Sequence, residues 1–295
     1  MRIEIIGAGA VGLLLASFYA EKGVSVRLIT KEKMQKGNVQ INRTNVDGSM
    51  SRFQVECAST VRTNTDLIIV AVKYGQLPAV YKQLASIQPA IPLLFVQNGV
   101  AHFEEAMQLS QQHIAFSSIQ FGAQKLSSYH VAHKGIGVMK LAVAKGDSSI
   151  FAKLQSFSYE LLPVQWEEDA EAMLMEKALL NCFINPLTAI LQVKNGQLVT
   201  ENNAFQLLKN LYNEIIATFP QYAHTFRFEQ VVALCEKTAH NTSSMLADKQ
   251  AGRKTEIDTI VGAILKKAQA ENKQMPILQT LYILVKAFEK SGETM

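Results

Sequence analysis

The sequence predicts an α/β domain followed by an all-α domain. Three observations carry that reading. A glycine loop, G-A-G-A-V-G at residues 7–12, stands between a short apolar run and a helical pattern. Strand and helix patterns alternate through the first half of the chain. From Asp169 onward the strand patterns give way to long helical ones. The expected division is residues 1–168 for a Rossmann-type dinucleotide-binding domain and residues 169–295 for a helical substrate domain.

Residues 2–6 form the first strand. Residues 11–22 form a helix in which Leu14, Leu15, Phe18 and Tyr19 gather apolar surface, and Gly23 stops it. "VSVRLIT", residues 24–30, is the second strand. Residues 46–56 carry a turn signal at Asp47-Gly48 and read as a hairpin. "DLIIVAVK" (66–73) and "IPLLFVQNG" (91–99) are nearly continuous apolar runs, as central strands buried on both faces require. "HVAHKGIGVMKLAVA" (130–144) reads as a later antiparallel pair. In the second half, residues 168–191 begin with acidic residues, which favour a helix N-terminus. Residues 243–252 and 256–273 are two further helices separated near Gly252. The sequence contains no internal repeat and no low-complexity linker.

Composition narrows the function. The chain has 295 residues, 48% of them apolar, and a net charge of +4, enough for a sizeable core and too little for a nucleic-acid platform. Lys31, Lys33, Lys36 and Arg43 form a loose basic run, read as a solvated loop. Cys57, Cys182 and Cys235 are widely spaced and lack C-x-x-C pairing, so neither disulfides nor a metal site is expected. His102, His113, His130 and His133 read as surface or packing residues. No secretory pattern precedes the first strand, and no unbroken apolar run approaches the ~18 residues of a membrane span. The expectation is a reduced, cytoplasmic protein with no membrane and no nucleic-acid partner.

The glycine loop has the context that gives it meaning: strand, loop, helix, second strand. Gly7 makes the tight turn, Gly9 lets backbone approach a pyrophosphate, and Gly12 lets helix and strand pack closely. Ala8, Ala10 and Val11 complete the cradle, and the helix N-terminus offers N–H groups to the phosphates. An NAD-preferring site places a carboxylate at the end of the second strand. Here the strand ends Thr30-Lys31, which suits a 2′-phosphate and hence NADP(H), while Glu32 keeps NAD open.

Lys177, Asn181 and Asn185 recur at i, i+4, i+8 and share one helix face beside Leu180, Phe183 and Ile184. A polar outer stripe would have the same spacing. Pro186 is expected to strain the helix at that point. Around the junction at residues 241–258, Ser244, Asp248, Lys254 and Glu256 crowd together; Asn241, Thr242 or Ser243 can cap the first helix there, and Thr255 the second.

Taken together, "GAGAVG" (7–12), "VK" (72–73), "QNGV" (97–100), "EKALLNCFINPLTA" (176–189) and "SSMLADKQAGRKTEID" (243–258) resemble the ketopantoate reductase (2-dehydropantoate 2-reductase) family. The resemblance runs nearly end to end. It implies NADPH-dependent reduction of 2-dehydropantoate to pantoate, on the route to pantothenate and coenzyme A. It implies Lys177 as catalytic lysine and Glu256 as essential carboxylate, with Asn98, Asn181, Asn185 and Ser244 on the substrate. It implies Lys73, Gln76, Asn98 and Glu256 near the cofactor. The family often has an arginine at the end of the second strand, where this chain has Thr30-Lys31 and, earlier, Arg27. A protonated Lys177, with a reference pKa of ~10.4, can stabilise and protonate the keto oxygen. Glu256 then orients that ammonium or accepts the substrate hydroxyl, and Ser244 donates to the substrate carboxylate. Two other readings stay open: a reductase of the same shape acting on a different 2-keto acid, and a non-catalytic NADPH-binding sensor. Apolar helix faces in the second domain suit either a core or a homodimer.

Overall fold

The glycine loop sits at the carboxyl end of the strand that centres the sheet. A computed structural model describes residues 1–30 and 36–291. The strands are β1 (Arg2–Ile6), β2 (Ser25–Ile29), β3 (Gly37–Thr44), β4 (Met50–Ala58), β5 (Leu67–Val70), β6 (Leu93–Phe95), β7 (Ile114–Ile119), β8 (Gly122–Ser127), β9 (His130–Gly135), β10 (Met139–Lys145) and β11 (Val164–Trp166). They form one sheet in the order β11-β10-β7-β6-β5-β1-β2-β4-β3-β9-β8. The run from β7 to β4 is parallel throughout. All four residues of β5 are buried, as its unbroken apolar sequence requires of a strand covered on both faces.

The first unit also holds α1 (Ala10–Glu21), α2 (Leu77–Leu84), α3 (Phe103–Met107) and α4 (Lys153–Ser156). Helix α1 is apolar almost all round and buried from Gly12 to Tyr19, so it lies inside the layer it covers. Gly23, at φ 72°, supplies the left-handed residue that ends it. The predicted hairpin is β3–β4, turning at Gly48 with φ 84°.

The segment 130–144 departs from expectation. Strands β9 and β10 do not pair with each other. β9 pairs antiparallel with β8 and parallel with β3, while β10 pairs antiparallel with β7. The two strands are arms of one long bent hairpin whose other arm is β7–β8. The bend is possible because Gly137 packs against the Gln120 backbone, where a Cβ would stand 2.4 Å from the Gln120 carbonyl oxygen. One hairpin thereby supplies β9 and β8 at one end of the strand order and β10 and β7 beside the edge strand β11 at the other, which a local reading of alternation cannot reveal.

The basic run also resolves differently. Arg43 is a buried residue of β3, hydrogen-bonded to Glu21, Ser17 and Asn45. Lys31 and Lys33 lie outside the described residues. His102 and His133 are buried, and desolvation holds both rings below the ordinary imidazole pKa, His102 at about 3, so both are neutral packing residues.

The second unit contains α5 (Ala170–Leu191) from Met175 on, α6 (Gln197–Thr200), α7 (Asn202–Thr218), α8 (Phe228–Lys237), α9 (Ser244–Gln250), a π-helical turn (Asp258–Gly262), α10 (Ala263–Ala270) and α11 (Pro276–Ser291). Helix α5 is long and apolar enough to cross a membrane by length and composition, and most of it is buried inside the protein as a core helix. It continues through Pro186 without interruption. The contacts divide the chain into Met1–Gln97 with His102–Leu174, and Asn98–Ala101 with the chain from Met175 on. In the contacts, the division falls within the second turn of α5. A four-residue piece of the first half travels with the helices.

Candidate active site

Within the first unit, the glycine loop separates what the fold needs from what a ligand needs. Gly7 has φ 113°, and a Cβ there would lie 2.8 Å from the Ala71 carbonyl oxygen. A Cβ on Gly12 would lie 2.0 Å from the Gly7 carbonyl oxygen. Both glycines are demanded by packing. Gly9 is not: its Cβ would meet nothing nearer than 3.9 Å. Space over Gly9 is left clear of protein atoms, as a cradle for a close-lying phosphate group would be. Helix α1 begins directly after it. Its first bond runs from the Leu13 N–H to the Gly9 carbonyl at 3.0 Å, so the N–H groups of Ala10, Val11 and Gly12 have no intrahelical partner. No acidic side chain occupies the first turn. The loop fits a dinucleotide pyrophosphate.

The remaining cofactor residues are distributed along the same strand ends. Thr30 follows β2, is buried, and shares a hydrogen bond with Cys57 Sγ at 3.2 Å. Lys31, the expected partner of a 2′-phosphate, lies outside the described residues. Arg27 is committed elsewhere: it donates to Glu4 at 3.0 Å and to Glu56 at 3.1 Å. Lys73 and Gln76 are exposed; Lys73 precedes a 3-10 turn (Tyr74–Gln76) beyond β5, and Gln76 ends it. Gln97 fixes this region in a way the sequence did not disclose. Its buried amide donates to the carbonyls of Val70 at 2.8 Å and Val72 at 3.0 Å, tying the end of β6 to the end of β5.

Within the second unit, the polar residues separated in sequence converge. Asn98 Nδ2 donates to Glu256 Oε2 at 3.0 Å. The loop that carries Asn98 is pinned: Gly99 has φ 78°, and a Cβ there would stand 2.2 Å from the Thr259 carbonyl oxygen in the π-helical turn. π-type turns are frequent at functional positions because they shift one residue out of helical register. Here the turn begins two residues after Glu256. The Lys177 ammonium feels that carboxylate. Desolvation pulls its pKa down to about 8, and the Glu256 charge opposes the shift. One and two turns along α5 come Asn181 and the buried Asn185. Asn185 Nδ2 reaches Ser244 Oγ at 3.5 Å.

Ser244 is held by the residue before it. Ser243 caps α9, accepting the Leu246 N–H at 3.1 Å, as one of the three expected capping candidates. Its hydroxyl also meets Thr188 Oγ1 at 2.7 Å. Thr188, fully buried on α5, was missed by sequence reasoning because a threonine among apolar residues carries no catalytic signal. Asp248 is drawn away into an ion pair with Arg253 at 2.7 Å. Thr255 accepts the Ile257 N–H at 3.3 Å and donates to Glu289. Among the described residues no group of three or more His, Cys, Asp or Glu side chains is placed to hold a metal ion. The three cysteines are free and buried.

An amine with a lowered pKa, a carboxylate that opposes the shift, two amides and a hydroxyl can together bind and protonate a small oxygen-rich molecule. The family model for ketopantoate reductase PanE/ApbA matches residues 3–146, and its C-terminal counterpart matches residues 169–289. A curated 2-dehydropantoate 2-reductase of Bacillus subtilis (strain 168) is 32% identical over 99% of this chain and 98% of its own. The chain belongs to the ketopantoate reductase family. A crystal structure described as a probable 2-dehydropantoate 2-reductase from Bacillus subtilis superposes with a TM-score of 0.87 at 30% identity, covering 98% of this chain and 100% of that one. The same fold is found in a D-mandelate dehydrogenase solved with NADH and anilino(oxo)acetate, at a TM-score of 0.84 and 24% identity, covering 100% of both chains.

Proposed function

We propose that this chain is a 2-dehydropantoate 2-reductase that takes hydride from NADPH and produces (R)-pantoate, a step toward pantothenate and coenzyme A. The observation that carries the reading is the Lys177 ammonium, its pKa drawn down to about 8 against the Glu256 carboxylate, on the helix that also presents Asn181 and Asn185.

When bound, the reduced nicotinamide supplies the hydride to the 2-keto carbon. Negative charge then grows on the keto oxygen, and Lys177 stabilises it and transfers a proton to complete the alcohol. A pKa of about 8 suits this role: the amine is mostly charged at neutral pH, yet gives up its proton more readily than an ordinary lysine. Glu256 is tied through Oε2 to Asn98 and holds the ammonium in its charged form. Asn181 and Asn185 can each donate and accept, which matches the substrate hydroxyl. Ser244, exposed beside Asn185, donates to the substrate carboxylate. Residues 7–12 hold the pyrophosphate, with Lys73, Gln76 and Asn98 toward the nicotinamide half. The absence of a carboxylate at the end of β2 supports NADPH over NADH.

Purified chain mixed with 2-dehydropantoate should consume NADPH, followed by loss of its absorbance, and should use NADH far more slowly. If another 2-keto acid in a panel is reduced and 2-dehydropantoate is ignored, the substrate assignment falls while the proton-donor role stands. Tight NADPH binding with no reduction of any keto acid would instead make the chain a sensor.

A further inference from the structure

Helix α11 grips the chain on both sides of Glu256. Tyr282, Lys286 and Glu289 recur at i, i+4 and i+7 and share one face of that helix. Glu289 Oε1 accepts two bonds from Thr255, the residue before Glu256. One comes from the backbone N–H at 2.7 Å and one from the hydroxyl at 2.6 Å. Two residues after Glu256, Asp258 accepts the Tyr282 hydroxyl on Oδ1 at 2.7 Å and the Lys286 ammonium on Oδ2 at 3.0 Å. Lys286 Nζ also lies 3.6 Å from Glu289 Oε2, which joins the two anchors. Between them, the Glu256 carbonyl accepts the N–H groups of Thr259 and Ile260 and the Thr259 hydroxyl.

We propose that Glu289 is a positioning residue for the reaction: through Thr255 it sets where the Glu256 carboxylate stands relative to Lys177. The inference rests on the proton-donor reading above and adds a residue to it. The Glu289 side chain is only 11% exposed, and a carboxylate that far out of water is costly unless its oxygens are used. Apolar packing could anchor α11 here without that cost. What the carboxylate does that packing cannot is accept the Thr255 N–H, which lies in the irregular segment between α9 and the π-helical turn. The attraction of Glu256 for the Lys177 ammonium weakens with distance, and it is the influence that opposes desolvation there. Releasing Thr255 leaves Glu256 tied at its side chain by Asn98 and beyond it by Asp258. The carboxylate is then less closely placed, and Lys177 gives up its proton at lower pH. The other charged groups at this segment are Lys254, Asp258 and Lys286, and the last two keep their own pair when Glu289 is replaced.

The test is the pH dependence of kcat/KM for 2-dehydropantoate in the full chain. The variants are Glu289→Ala, Glu289→Gln, Thr255→Val, Glu256→Gln and the double variant Glu256→Gln/Glu289→Ala. Glu289→Ala should move the alkaline limb toward acid by about half a unit, a part of the ~1–3 units that an opposite charge is worth. Glu289→Gln keeps an acceptor for Thr255 and should restore the wild-type limb. Thr255→Val keeps the shape, removes one of the two bonds, and should move the limb in the same direction; it decides the matter if Glu289→Ala does not fold. In the double variant, Glu289→Ala should add no shift to that of Glu256→Gln, because the charge it positions is gone. An unmoved limb in Glu289→Ala, whatever its unfolding temperature, makes Glu289 an anchor of α11 alone and overturns the proposal. An equal shift in Glu289→Gln, or an added shift in the double variant, shows that Glu289 acts by its own charge and overturns it too. The Lys177 pKa is also readable without substrate. It is the pH above which a chain gains stability relative to its own Lys177→Met counterpart, and Glu289→Ala should move that pH toward acid. If wild type reduces no keto acid, the functional reading falls, and the stability measurement still decides whether Glu289 acts on Lys177.

Discussion

Asn98 and Glu256, 158 positions apart, are joined by a 3.0 Å hydrogen bond from the amide Nδ2 to carboxylate Oε2. That bond fixes the carboxylate whose charge acts on Lys177, and it makes the electrostatics of the site testable. Burial alone would lower the lysine further, and Glu256 is the opposing influence. Glu256→Gln keeps the amide contact and removes the charge. An opposite charge at short range is worth about 1–3 pKa units. With Lys177 at about 8 as the proton donor, kcat/KM should fall on the alkaline side near that pH, and in Glu256→Gln the fall should move at least one unit toward acid. A pH–rate profile checks this, and an unmoved limb would show that Glu256 does not govern the proton donor.

Lys177→Met removes donor and desolvated charge together, with opposite effects on activity and stability. Loss of a positioned general acid is worth 10²–10⁴-fold, so turnover of the keto acid should fall by about that factor while NADPH affinity holds. Stability should rise. The folded-state pKa of about 8 lies below the unfolded value near 10.5, so the native state disfavours the ammonium at every pH below 8. As pH rises from about 8 toward 10.5 the folded protein releases its proton first, the unfolded chain binds more protons, and wild-type stability increases. At about 1.4 kcal/mol per unit, the ceiling on the effect is on the order of 3 kcal/mol. Denaturant unfolding should find Lys177→Met more stable at pH 7 and the advantage shrinking by pH 10. A variant less stable than wild type at pH 7 would mean the ammonium is better satisfied than its pKa implies.

How far these residues were visible in sequence depended on whether their signal was local. The glycine loop was legible because tight turns and close helix approach demand glycine at fixed spacing, and Gly7 and Gly12 meet that demand. Lys177, Asn181 and Asn185 were legible because helical periodicity places them on one face of α5. Thr188 and Gln97 were not, because each acts through a partner that no local period points to: Ser243 and the carbonyl at the end of β5. The pairing of β9 and β10 failed for the same reason. Alternation identifies a strand and its buried face, but its partner is chosen by the bend at Gly137 and by β3, far away in sequence.

The three glycines of the loop should behave as two kinds. Gly9→Ala places its methyl in open space, so the chain should fold with an unchanged unfolding temperature and bind NADPH at least tenfold more weakly. Gly12→Ala places a methyl 2.0 Å from the Gly7 carbonyl oxygen, which cannot be relieved by rotating a side chain, and should lose the fold of the first unit or its soluble expression. Circular dichroism melts and cofactor titration distinguish the cases. A Gly9→Ala protein that binds NADPH normally would show that the open space is not where the phosphates lie.

The hydroxyl chain beside Asn185 and Ser244 has a definite direction. The Leu246 N–H donates to Ser243 Oγ. Thr188 Oγ1 lies 3.0 Å from the carbonyls of both Ile184 and Asn185, so its own hydrogen is directed to them. Ser243 is thus the donor in the 2.7 Å bond to Thr188. The chain locks the N-terminus of α9 to α5 at the level where Asn185 meets Ser244. Thr188→Val keeps the shape and removes the hydroxyl, leaving the Ser243 hydrogen buried without its acceptor. The expected cost is about 1–3 kcal/mol in unfolding free energy. If the chain positions Asn185 and Ser244, KM for the keto acid should also rise severalfold with NADPH affinity unchanged, and Thr188→Ser should restore both stability and KM. A valine variant that is less stable but binds keto acid as tightly as wild type would make Thr188 a packing residue alone.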